Sequence, residues 1–157
     1  MNFPQAAGLY KLGVLPSEKM VDVAMAELES GAEEEQILML AIETDKTLGN
    51  LKPLFEACLK LLNLDSLTNQ KALEHAAEYY ASLAKAGNIS EIEFGFKLGF
   101  FHEEYKLHGD LWDAYQNAMW FEESPYEWGY PKDIESLKAL RAKCSSTIWE
   151  IINKYAA

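Results

Sequence analysis

Along the whole chain, apolar residues recur at spacings of three and four, and nowhere do they alternate with polar ones over the length of a strand. The few prolines and glycines sit where such runs begin or end. A chain patterned this way is expected to be all-α, each helix burying one stripe against its neighbours. Seven or eight helices follow. The first runs from Pro4 to Leu12, and the second from Pro16 to Ser30 with Met20, Val21, Ala24, Met25 and Leu28 as its stripe. Glu33, Glu34 and Glu35 open a third at its electropositive end, with Ile37, Leu38, Leu40, Ala41 and Ile42 inward. Thr44–Asn50 reads as a turn, and a fourth helix has Pro53 in its first turn. The fifth, from Ser66 or Thr68 to Ala86, carries an alanine-rich stripe suited to close helix contact. Short connections without a Ser/Gly-rich linker predict one domain over residues 1–157, a bundle of antiparallel helices.

The stretch Ser90–Pro131 holds twelve of the nineteen aromatic residues, and nine acids against two lysines. Aromatic side chains carry the largest buried area each, so this density marks either a core or a contact surface. A sixth helix starts with a capping box, Ser90 with Glu93, and runs to Gly109. At 100° per residue, Phe94, Leu98, Phe101 and Tyr105 share one face, while Ile92, Phe96, Phe100 and Leu107 lie opposite. Two apolar faces predict a central helix sandwiched in the fold, or else one that buries its second side in a partner. Gly95 and Gly99 predict a close crossing over them, because each costs about 1 kcal/mol against alanine in an uncrossed helix. The seventh helix is capped by Asp110 and runs to Glu123, with Leu111, Trp112, Tyr115, Ala118 and Met119 inward. Asp113, Asn117 and Trp120 fall on its outward side. The last helix is capped by Asp133 and lined by Leu137, Leu140, Cys144, Ile148, Ile151 and Tyr155.

Net charge is −11, and it is unevenly spread: −6 over residues 1–50, zero over 51–90, −7 over 91–131 and +2 over the rest. Such a field repels nucleic acid and anionic membrane and attracts a basic partner, although acidity also serves plain solubility. No apolar run approaches the roughly 18 residues that a membrane span needs. The start, MNFPQAAGLYKLG, lacks the basic, apolar and small-residue regions of a secretory signal. Cys58 and Cys144 sit in apolar helical patterns that suit reduced, buried thiols, with a disulfide between them left open. Together these features predict a cytoplasmic protein.

Little in the sequence carries chemistry. His102 and His108 stand six residues apart, whereas the helical zinc motif needs an i, i+4 pair. His75 and Glu78 reverse the order of the di-iron signature, and there is no second copy. No metal or other cofactor is therefore expected. Neither cysteine has an adjacent base, and there is no phosphate-binding glycine loop, serine elbow or kinase signature. Neighbouring acids such as Glu103/Glu104 point about 100° apart and do not converge on a substrate. The chain is read as a non-enzyme.

Between Ser124 and Pro131, prolines bracket three large aromatics that alternate with Glu127 and Gly129, so an extended chain places all three on one side. With the outward Trp120 and its acidic neighbours, they mark a partner-binding surface of Asp113, Trp120, Glu122, Glu123, Tyr126, Glu127, Trp128 and Tyr130. A lid over the core is the other reading of the same rings. The N-terminal half, LGVLPSEKMVDVAMAELESGAEEEQILMLA followed by LKPLFEACLKLLNL, resembles small, largely uncharacterised helical bacterial proteins. Some of those act as immunity partners of contact-delivered toxins. That resemblance implies an acidic immunity or inhibitor protein that neutralises a basic toxin or enzyme. A helical enzyme or small-ligand protein with a pocket under Tyr126–Tyr130 is the alternative, and a scaffold or homodimer is the third.

Overall fold

The computed structural model describes residues 1–123 and 133–156. The fold is all-α, with nine helices among the described residues where seven or eight were expected. These are α1 (Phe3–Lys11), α2 (Ser17–Glu29), α3 (Glu35–Ala41), α4 (Leu48–Leu61), α5 (Asn69–Lys85), α6 (Glu91–Gly99), α7 (His102–Tyr105), α8 (Gly109–Glu123) and α9 (Ile134–Tyr155). They group into two compact units, Met1–Ala76 and Ala77–Ala157, and the division falls within α5.

In the first unit, α1 begins with a reciprocal cap that the sequence reading missed: Asn2 accepts from the Gln5 backbone and Gln5 from that of Asn2. Phe3, Met20, Ile37, Leu40, Leu51 and Phe55 are the large side chains of its core. Phe55 is its centre, stacked on Phe3 at 6.1 Å and met edge-on by Tyr10 at 5.2 Å. Gly8 lets α1 press onto α5, because a Cβ there would stand 2.7 Å from the Ala72 carbonyl. Two expectations fail here. The turn ends at Thr47, whose N–H donates to Asp45, so Leu48, Gly49 and Asn50 form the first turn of α4 and Pro53 lies inside that helix. The proline removes a hydrogen bond only from the exposed Gly49 carbonyl, where water can replace it. At α3 the core takes Ile37 and Leu40, with Ala41 half-buried against it, leaving Leu38 exposed and Ile42 65% exposed.

In the second unit, α6 packs on α8 and α9, and α8 packs on α9. The stripe Phe94, Leu98, Phe101 is buried as expected, and the crossing over the glycines is present. The sixth helix is not continuous, however. It ends at Gly99, resumes for one turn as α7, and closes at Lys106 with a left-handed φ of 54°. Phe101 and Leu107 would stand about 120° apart on an unbroken helix. The break brings both into the core. Burying a leucine contributes about 1.5–3 kcal/mol, which offsets the roughly 1–2 kcal/mol cost of a left-handed lysine. The sandwiched reading is corrected as well: Phe96 is 41% and Phe100 75% exposed. Asp110 lies in the first turn of α8, which starts at Gly109, and is not its cap. Ser90 and Asp133 do cap α6 and α9, accepting from the Glu93 and Ser136 backbones.

Both cysteines are buried free thiols. Burial pushes the Cys58 thiol up to about 11. The Tyr10 and Tyr80 hydroxyls rise to about 12, by burial first and then by Glu56 beside Tyr10 and Tyr79 beside Tyr80. In each case the folded chain holds the proton more tightly than the unfolded chain does. The stability this confers is complete below the ordinary values of 9 and 10 and is lost as pH rises through 11 and 12. Urea midpoints should therefore fall progressively between pH 9 and pH 12, less so in Tyr10→Phe. A flat profile across that window, or one that rises, is the contrary result.

Candidate partner-binding surface

Helix α8 owes its orientation to small residues. Leu111, Ala114 and Ala118 are buried at i, i+3 and i+7, and the two alanines let α6 approach at Gly95. A hypothetical Cβ on Gly95 would stand 2.6 Å from both the Ala114 carbonyl oxygen and the Ala118 Cβ. Tyr115 covers Gly99, and its ring meets that of Phe96 edge-on at 6.3 Å. Trp112, Tyr115 and Met119, expected inward, are half-buried. Trp112 lies 4.5 Å from the His102 ring, whose Nδ1 is buried with no hydrogen-bond partner among the described residues.

With one face of α8 against α6 and α9 also packed on it, what remains of the helix surface is open. Asp113, Trp120, Glu122 and Glu123 are all exposed, Trp120 by 39%. Asp113 and Trp120, seven residues apart, share a line along the helix to within about 20°. The remaining residues proposed for this surface, Tyr126, Glu127, Trp128 and Tyr130, lie outside the described residues. So does the pocket expected under Tyr126–Tyr130.

The electrostatics of this end of α8 are unusual. Glu122 and Glu123 stand at the helix C-terminus, where the backbone dipole is already negative, and the last turn carries no basic residue. Each such acid costs about 0.3–1 kcal/mol where it is exposed. Arg141 of α9 meets part of this field: its Nε–H donates to the Phe121 carbonyl at 3.2 Å, and its guanidinium lies 5.1 Å from the centre of the Phe121 ring. Nothing local in the sequence marks Arg141 for this contact, although a cation reaching a helix C-terminus is a familiar partner. At the other end, Lys154 pairs with Asp110.

Among the described residues, no three histidines, cysteines or acids lie close enough together to hold a metal ion. No described helix is long and apolar enough to cross a membrane. Comparison with protein-family models, with curated proteins and with solved structures yields no match.

Proposed function

We propose that this protein is an acidic cytoplasmic binding protein that neutralises a basic protein partner, a toxin or an enzyme, through the outward face of α8. The observation that carries the reading is Trp120, exposed on the same helix face as Asp113 and about one turn before Glu123. A half-open tryptophan gives up its remaining water contact on association, and tryptophan is the side chain in which interface energy most often concentrates. The acids around it steer a cationic partner and raise its association rate. The two glutamates at the helix C-terminus fit this role, since they reduce the helix's own stability and strengthen the local negative potential.

The test has two stages. The partner is identified by affinity capture and mass spectrometry from the source cells, and is expected to be basic. Calorimetric titration then compares wild type with Trp120→Ala and with the pair Glu122→Gln, Glu123→Gln. Trp120→Ala should weaken binding by about 2 kcal/mol or more, with the melting temperature nearly unchanged. The glutamine pair should flatten the salt dependence of the association rate. Unchanged affinity in both variants, or a Trp120→Ala variant that no longer folds, rejects this surface.

A further inference from the structure

We propose that a pocket between α1 and α4 binds a small organic monocarboxylate, with its apolar body over Leu59 and Leu64 and its charged head between Lys11 and Lys60. The pocket lies wholly within the first unit and measures about 340 Å³. That is the lower end of the roughly 300–1,000 Å³ usual for small-molecule sites. Its inner wall is apolar, because Leu59 is buried and Leu64 half-buried. A specific chain reversal places Leu64 there. Asn63 ends α4 in the left-handed conformation with φ 56°, and the Leu64 N–H returns 2.8 Å to the Leu59 carbonyl.

The polar groups of the pocket divide into those already satisfied and those still available. Tyr10 donates its hydroxyl proton to Glu56 Oε1 at 2.6 Å, and Lys52 stands 3.9 Å from the same oxygen. The charge of Glu56 is therefore met from within the protein. The Tyr10 hydroxyl, pushed up to about 12 by burial first and by Glu56 second, keeps its proton against that carboxylate. Lys11 and Lys60, on the two helices that form the walls, are in no ion pair among the described residues. Asp65 is the one remaining charged group of the lining. Two free cations against one free carboxylate leave an excess of one positive charge, which matches a single anionic head. A dianion would exceed it, in a chain that already carries −11. An apolar wall and two lysines in the lining thus select a carboxylic acid with an alkyl or aryl body. This inference uses none of the residues of α8 and stands apart from the protein-binding reading.

The probe is octanoate, with octanol and octylamine as controls of equal length and different charge. Titration of the full chain, followed by amide chemical shifts, should show saturable octanoate binding with shifts at Tyr10, Leu59 and Leu64. Octanol should bind more weakly and octylamine weakest. Lys11→Ala and Lys60→Ala, both at exposed positions, should each weaken octanoate about tenfold or more without changing the fold, the scale of one lost hydrogen bond to a charged group. Leu64→Trp should block the pocket. Three results would each overturn the proposal: no saturable octanoate binding, octylamine binding as tightly as octanoate, or octanoate affinity indifferent to both lysine substitutions.

Discussion

Phe94→Ala is expected to lower the stability of the protein by about 3–5 kcal/mol, the range for removing a buried phenylalanine. Phe94 has no exposed surface, and Leu98, one turn on, is equally inaccessible. Both lie on α6, which packs on α8 and α9 and is fixed there by backbone approach at Gly95 and by the hydrogen bond from Ser145 to Glu91 at 2.8 Å. A helix pinned in this way cannot move into the space a lost ring leaves, so the cost should lie toward the upper end. Phe101→Ala, in the turn between α6 and α7, removes a ring of nearly equal burial and belongs in the same range. Domains of this kind have about 5–15 kcal/mol in total, so either change removes a large fraction. Urea unfolding reads the effect as a lower midpoint. An unchanged midpoint in Phe94→Ala would mean that the other face of α6 is the buried one.

The second large effect is unusual in its sign. In an exposed helix interior, replacing glycine by alanine stabilises by about 1 kcal/mol. Gly95→Ala should instead destabilise, by about 1–3 kcal/mol or more, because its Cβ would stand 2.6 Å from the Ala114 carbonyl oxygen and from the Ala118 Cβ. Neither of those atoms is the end of a flexible side chain, so relief requires α6 and α8 to separate. Gly99→Ala meets the Tyr115 ring, which can turn about its own side-chain torsions, and should cost less. Thermal or urea unfolding of the two variants together gives the ordering. A stabilised Gly95→Ala would show that the helices do not cross there.

These two glycines and the stripe beside them were legible in the sequence, and for the same reason. Helical periodicity fixes the angular relation of Phe94, Leu98 and Phe101 wherever the helix is placed, and a glycine without a turn to make needs a close neighbour to justify it. The caps at Ser90 and Asp133 were equally readable, since each depends only on a side chain and a backbone N–H three residues on. Trp120 was placed outward by its phase against Leu111 and Ala118, which is again a local relation.

What the sequence alone determined, then, is the set of relations internal to each helix: the all-α class, the faces, and most of the starts and stops. Only the tertiary structure decided which of two apolar faces is covered. Phe96 and Phe100, in and just after α6, like Leu38 and Ile42, in and just after α3, are as hydrophobic as their buried neighbours, yet they remain exposed. The break at Gly99 and the left-handed Lys106 likewise have no local signal. They arise because Phe101 and Leu107 gain more from joining one core than an unbroken helix gains from its hydrogen bonds. The pocket beside Tyr10 depends on bringing together Tyr10 and Glu56, 46 residues apart in the chain. Periodicity sets angles about one helix axis and carries no information about the position of the next, which is fixed by the packing of whole side-chain volumes.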